Sequence, residues 1–304
     1  MTRVAVVVPA WNTSELLAKC LGALGRSSIA AEIVVVDNAS DDGSADMVAR
    51  DFPEIKLIRN PRNEGFARAC NQGSAATRAP LVLFLNSDTQ VEPEVLAQLA
   101  EFLERNEDYA AAAPRLLNFD GSTQRACMDF PRLATALWFG TPFERWFPGS
   151  RELRRYFARD FDYGQDGDVL QPPAAALMLR RSVLDSLGGF DERMWLFFND
   201  VDLSRRLWDC GERTRYLHGA SVLHVGGAST AKFSSFVERW HYDRLAYYRK
   251  HHGWLAGPWV KLCASIAWAD FVLANRRRRA GGSAAIPQFL GPTTRAFLRY
   301  LVHG

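Results

Sequence analysis

Cysteine is scarce and unpatterned in this 304-residue chain: five thiols, at 20, 70, 127, 210 and 263, odd in number and with no C-x-x-C pair. That excludes a disulfide framework or a structural zinc site, and it fits reduced thiols in a cytosolic protein. Excess charge of one sign is lacking too. A net charge of +3 and a pI near 8.6 are too mild to attract nucleic acid, so no nucleic-acid partner is expected. A membrane-spanning helix needs about 20 nearly uncharged apolar residues. The one long apolar stretch, 254–279, is interrupted by Pro258, Lys261 and Asp270, and a charge at mid-bilayer costs about 2.5 to 3.5 kcal/mol. The spacing therefore predicts a helix lying on a membrane or packed on the body. The opening "MTRVAVVVPAWN" reaches Pro9 too soon for the apolar core of a signal peptide.

What is present is a repeated alternation. Short β-branched runs at 3–12, 32–40, 55–60 and 80–91 read as buried strands, and the segments 13–24, 42–52, 63–78 and 93–105 between and after them read as helices. Thr13 or Ser14 is the expected N-cap of the first helix, and Gly25 its stop. Strands alternating with helices define an α/β protein with a doubly wound, mainly parallel sheet and right-handed crossovers. Ligands of such sheets bind beyond the carboxyl ends of the strands. Three of those ends are polar here: Asn12, the acidic stretch 37–42, and 86–88. From 115 to 168 periodicity fades, which predicts irregular structure or inserted helices covering the crevice. A strand at 174–180, a short helix stopped at Gly188 and Gly189, a helix running to Trp208, and one or two strands through His224 complete the pattern.

Four segments carry chemistry. In "LFLNSDTQV", Asp88 stands two residues beyond Asn86 at a strand end, where a carboxylate can hold a divalent cation against a diphosphate. The alternative is a turn aspartate capping the helix that starts near Pro93. In "VVVDNASDDGS", Asp37 can accept the N–H of a pyrimidine, whereas Asp41 and Asp42 suit the turn and helix cap. "VLHVGGAS" offers His224 as an imidazole beside the pair Gly226 and Gly227, or else a packed histidine. In "FFNDVDLSRRL", Asp200 is flanked by Phe197 and Phe198, so partial desolvation can make it basic enough to take a proton. Asp202 lies two residues on, cannot share the same helical face, and is read as a helix-start acid.

The order of "VVVPAWN", "VVVDNASDDGS", "NEGFARACNQG", "LFLNSDT", "GGFDERMWLFFNDVDLSRRL" and "VLHVGGAS" resembles family 2 inverting glycosyltransferases of the GT-A fold over about 3–250. Within that family "NSDT" and "HYDRLAYYRKHHG" look most like the bacterial rhamnosyltransferase branch. The resemblance implies that Pro9, Trp11, Asn12, Asp37 and Asn86 contact a nucleotide-sugar donor, with Gly65 and Asn71 shaping the pocket wall. It implies Asp88 as ligand of Mg2+ or Mn2+ with His224 beside it, Asp200 as catalytic base, and Asn199 and Trp195 as acceptor contacts. Asn199 departs from the family's usual glutamate.

The implied reaction is transfer of a sugar, L-rhamnose from dTDP-β-L-rhamnose, to a glycan or polyprenyl-diphosphate-linked acceptor in cell-surface polysaccharide synthesis. The alternatives are a UDP- or GDP-sugar donor, a sugar nucleotidyltransferase, or an inactive nucleotide-sugar binder. A nucleotidyltransferase would want a Gly-rich basic loop after the first strand, and "PAWNTSELLAKC" has none. The expected domains are 1–250, divided into a nucleotide-sugar half (1–114) and an acceptor half (115–250), followed by a helical extension at 251–304. Four consecutive arginines at 276–279 contribute about 1 kcal/mol each near an anionic leaflet, so peripheral contact with the inner face of the cytoplasmic membrane is expected. A homodimer is compatible with the sequence.

Overall fold

The computed structural model describes residues 3–226, 236–280, 297 and 299–302, without the side chains of 236 and 275–280. Up to residue 105 the order is β1 (Val4–Ala10), α1 (Ser14–Leu24), β2 (Glu32–Asp37), α2 (Ser44–Asp51), β3 (Lys56–Arg59), α3 (Phe66–Ala75), β4 (Leu81–Leu85), β5 (Thr89–Val91) and α4 (Val95–Arg105). Then come β6 (Tyr109–Leu117), α5 (Leu133–Trp138), α6 (Pro142–Trp146), α7 (Arg151–Tyr156), β7 (Gly167–Asp168) and β8 (Ala176–Arg180). The described elements end with α8 (Arg181–Ser186), α9 (Asn199–Asp209), β9 (Arg213–His224), α10 (Phe236–His252) and α11 (Ala256–Ala280).

One sheet organises them, in the order β3-β2-β1-β4-β8-β6-β9-β5, with β7 paired to β9. The β3-β2-β1-β4 half is parallel, as the alternating pattern predicts. The other half is mixed: β8 runs antiparallel to both β4 and β6, while β6 and β9 are parallel. The β-branched runs form the centre because helices cover both of their faces. Val6, Val7 and Val8 retain no exposed surface, and each such burial stabilises by roughly 1.5 to 3 kcal/mol. Thr13 does occupy the N-cap of α1, but without a capping hydrogen bond. Its hydroxyl pairs with Ser87 instead, at 2.9 Å, tying the ends of β1 and β4 together.

β6 has no β-branched residue, and its sequence YAAAAPRLL contains a proline. It is a central strand nonetheless. β8 pairs with it only at Ala111 and Ala112, and the β9 ladder shifts register between Pro114 and Arg115. The proline, which has no N–H to give, therefore sits at an irregularity.

The segment from 118 to 168 supplies α5, α6 and α7. They pack on the C-terminal helices: Trp259 Nε1 donates to Leu133 O (2.8 Å), Tyr248 Oη to Arg132 O (3.1 Å), and Arg145 forms an ion pair with Asp270 (3.0 Å). A core of Phe130, Ala136, Met194, Phe198, Leu245, Tyr247, Tyr248, Val260 and Cys263 joins these helices to the start of α9. Asp270 and Lys261, the charges that interrupt the apolar tail, are both engaged by protein, the latter donating to Leu301 O at 2.9 Å. No helix among the described residues is long and apolar enough to cross a membrane. Gly227 and the side chains of the arginines at 276–279 lie outside the described residues.

Candidate active site

At the carboxyl ends of the strands is a cleft of about 290 Å³ lined by Pro9, Phe66, residues 86–88, 173–175 and 196–200, and His224. Pro9, Asn86, Asp88, Asn199, Asp200 and His224 of the sequence-expected set meet in it.

Asp88 and His224 are far apart in sequence but are brought together by strand pairing. β5 runs antiparallel to β9 with Thr89 opposite His224, and Val225 N–H donates to Asp88 O at 3.0 Å. The imidazole Nε2 lies 3.6 Å from an Asp88 carboxylate oxygen, too far for a good hydrogen bond. Two donors bound at about 2.1 Å to one ion stand about 3 to 3.6 Å apart, so the spacing fits a shared divalent cation. Burial lowers the pKa of His224, with the nearby Asp88 charge opposing, which favours the neutral ring a cation requires. No group of three or more His, Cys, Asp or Glu capable of holding a metal occurs among the described residues. Diphosphate oxygens and water would complete the coordination shell.

Asp200 is the second residue of α9 and partly faces the cleft. Its carboxylate accepts N–H groups from Ala174 (3.3 Å) and Val201 (2.8 Å). Burial raises its pKa above the ordinary carboxylate range, with those N–H groups opposing, which is the direction a general base needs. The N-cap before it, Phe198, adopts φ +58°, a left-handed conformation that few bulky residues take. Two interactions hold it there. Its ring packs 5.7 Å from Tyr247 and 6.0 Å from Trp240, and the preceding loop is clamped by Asp243. The Asp243 carboxylate accepts N–H from Trp195 (3.2 Å), Leu196 (2.9 Å) and Phe197 (2.9 Å). This is the work of the "HYDRLAYYRKHHG" segment, and nothing local in the sequence marks Asp243 for it. Asn199 is 2% exposed, and its side-chain Nδ2 has no partner among the described residues.

The other expected residues are placed differently. Asp37 is buried at the end of β2. One carboxylate oxygen accepts Ser40 N–H (3.1 Å) and the other has no partner among the described residues, as an acceptor awaiting a donor would be. Asn12, at φ +54°, accepts Asp41 N–H at 2.8 Å and so ties the β1 and β2 loops together. Trp11, half-buried, precedes it in that loop. Asp42 accepts the N–H groups of Ser14 and Ser44, serving the starts of two helices.

Gly65 and Asn71 are absent from the cleft lining and build its supports. A Cβ on Gly65 would lie 2.5 Å from the Trp195 indole, so the glycine is the seat on which that ring rests, with Arg239 on the ring at 4.8 Å. The Asn71 amide is occupied at both ends by Phe190, donating to its O (2.9 Å) and accepting its N–H (2.8 Å). Sequence reasoning also missed Asn38, whose amide donates to Gly65 O at 3.1 Å, and Gln124, which holds His224. The cysteines are chemically quiet: four of the five are buried, and burial pushes the Cys20 thiol up to about 12.

A sheet of this topology with a cleft holding Asp88 and Asp200 at its strand ends has the GT-A architecture. The chain belongs to glycosyl transferase family 2, whose sequence profile matches residues 5–187. It is 26% identical over 247 residues to the N-acetylglucosaminyl-diphospho-decaprenol L-rhamnosyltransferase of Mycobacterium tuberculosis, covering 74% of this chain and 77% of that one. Among solved structures it resembles a mannosyltransferase from Pyrobaculum calidifontis in complex with GDP-Man and Mn2+. That match has a TM-score of 0.55 and 18% identity, and covers 99% of this chain and 85% of the other. It also resembles GalNAc-T7 with UDP, GalNAc and Mn2+, with a TM-score of 0.56 and 15% identity over 82% of this chain and 50% of that one.

Proposed function

We propose that the protein is an inverting, cation-dependent glycosyltransferase that moves L-rhamnose from dTDP-β-L-rhamnose to a hydroxyl of a polyprenyl-diphosphate-linked glycan. The observation that carries this reading is the meeting, in one cleft, of a desolvated carboxylate (Asp200) with a carboxylate–imidazole pair (Asp88 and His224). The choice of sugar and acceptor rests on the similarity to the mycobacterial rhamnosyltransferase over most of both chains.

Asp200 takes the proton of the acceptor hydroxyl, whose oxygen attacks the anomeric carbon from the face opposite the nucleotide. The bond to the diphosphate breaks as the new one forms, so the β-donor gives an α-product. Asp88 and His224 would hold a divalent cation, whose charge would stabilise the departing diphosphate. Asp37 offers its unpartnered oxygen to the base N–H. The Asp243 clamp keeps Asp200 and the Trp195 loop in register with that donor.

The lipid-linked acceptor has support in α11. Its exposed stripe, Pro258, Leu262, Ala269 and Leu273, with Leu255 in the turn before it, carries no charge, and four arginines stand at 276–279 near its end. Apolar insertion with a basic flank suits peripheral binding to an anionic leaflet, which supports action at the cytoplasmic face of the membrane.

The test is a donor panel read by release of nucleoside diphosphate, with the anomer of the product read by NMR. Turnover of dTDP-β-L-rhamnose to an α-rhamnoside is expected, lowered about 10²-fold or more in Asp200→Asn while donor binding survives. A β-product, or near-normal turnover by Asp200→Asn, refutes the mechanism. Serine at 255, 262 and 273 should abolish flotation with anionic vesicles; unchanged flotation removes α11 from that role.

A further inference from the structure

The loop after β6, "NFDGSTQ", has no part in the function derived so far, yet it ends on His224. We propose that Gln124 is a positioning residue for the cation-ligand pair: its amide, oriented through Asn118 and Ser122 by the Asp120 carboxylate, fixes His224 as the tautomer with Nδ1 protonated and Nε2 bare toward Asp88. The proposal rests on the reading of Asp88 and His224 as cation ligands.

Each link has a single direction. Ionised Asp120 can only accept, and it takes both the hydroxyl (2.5 Å) and the N–H (2.9 Å) of Ser122. With its one hydroxyl hydrogen committed, Ser122 Oγ accepts from Asn118 Nδ2 at 2.9 Å. That turns Asn118 Oδ1 toward Gln124, where it accepts from Nε2 at 2.9 Å. The second hydrogen on Gln124 Nε2 goes to the backbone carbonyl of His224 at 2.7 Å. A carbonyl is an acceptor only, so the amide orientation is fixed twice, by independent partners.

Gln124 Oε1 is then the atom facing His224 Nδ1, at 2.9 Å, and Nδ1 must carry the hydrogen. The imidazole lone pair is left on Nε2, pointing at a carboxylate oxygen 3.6 Å away. Two acceptors face each other with no hydrogen between them. That arrangement is unfavourable by itself and becomes favourable when a cation lies between them. The turn thus prepares the ligand pair before any cation arrives. Because Asp120, Ser122 and Asn118 are exposed, the control comes from the rim of the protein.

The experiment uses the full chain. Nitrogen-15 NMR of the imidazole in cation-free protein reads the tautomer, and electron paramagnetic resonance reads Mn2+ affinity with a nucleoside diphosphate present. Wild type should show Nδ1–H. Gln124→Leu should mix the tautomers and weaken Mn2+ binding about 10- to 100-fold. Ser122→Ala alters only the exposed turn, so it tests the relay without risk to folding; with the His224 carbonyl still holding the amide, it should shift the tautomer balance less than Gln124→Leu does. An Nε2–H ring in the wild type, or unchanged tautomer and Mn2+ binding in Gln124→Leu, overturns the proposal. A wild type with Nδ1–H that binds no Mn2+ refutes the cation reading and leaves the tautomer assignment standing.

Discussion

Asp200 and Asp202 stand two residues apart in the first turn of α9, yet one faces the cleft and the other the packed side against α10. Asp202 has no exposed surface. It meets Arg206 Nε (2.7 Å), Lys250 Nζ (2.7 Å) and His251 Nε2 (2.8 Å). Burial alone would raise its pKa, but the hydrogen bonds from His251 and Lys250 and the charges of Arg206 and Lys250 outweigh that, and the net direction is down. Asp200 has two backbone N–H groups and no cation among its hydrogen-bond partners, so burial prevails and its pKa goes up. One helix start thus holds an anion tied down by cations and another kept ready for a proton. Helix-dipole stabilisation alone, the role the sequence suggested for Asp202, is too small for a residue so completely enclosed.

The largest effect that can break this contrast is on folding. Asp202→Ala removes a fully buried carboxylate from Arg206 and His251, while Lys250 keeps its ion pair with Asp191, so unfolding free energy should fall by about 3 kcal/mol. Asp200→Asn, which replaces an ionised group that burial disfavours, should leave stability unchanged or raise it. Chemical denaturation at neutral pH compares the two, and equal losses would show that the two faces are not distinct.

The pH dependence has opposite signs. With its folded pKa depressed, Asp202 contributes its full stability above about pH 4, the ordinary unfolded value, and loses it as pH falls through the lower folded pKa. Asp200, with its folded pKa raised, loses stability as pH rises from about 4 through that raised value. Removing Asp202 should therefore flatten the acid limb of the stability curve, and removing Asp200 should not.

The same contrast explains what was legible. Asp88 sits at the end of a strand with a strong local pattern, so its place at the crevice followed from the sheet topology; Asp200 and His224 were joined to it only by the resemblance to a known family. β1, β2 and β4 were legible for the same reason: buried β-branched runs have few other uses. β6 was not, because an alanine run with a proline carries no period, and only pairing with β8 and β9 makes it a strand. Asp243 and Gln124 were invisible because their partners lie at 195–197 and at His224. A hydrogen bond between distant segments leaves no spacing to read. Asn71 was expected on the pocket wall, but its partner was not legible there: the Phe190 loop it holds lies more than a hundred residues away.

The smallest predicted effect sharpens the cleft side alone. Asn199 precedes Asp200, is almost completely enclosed, and lines the same cleft with an unpartnered Nδ2. Asn199→Asp is nearly isosteric, so its consequences should be electrostatic. A second carboxylate next to Asp200 disfavours the ionised base, and the acid limb of kcat/KM against pH should move up by about one unit or more. The direction follows because a like charge adds to the burial that already raises Asp200. The alkaline plateau should change less, since there the base is ionised in both proteins. A loss of equal size at every pH would mean instead that Asn199 acts as a donor to the acceptor sugar, a role the amide loses whatever the charge. A profile superimposable on the wild type would place Asn199 outside the field of the base and leave Asp200 tuned by desolvation alone.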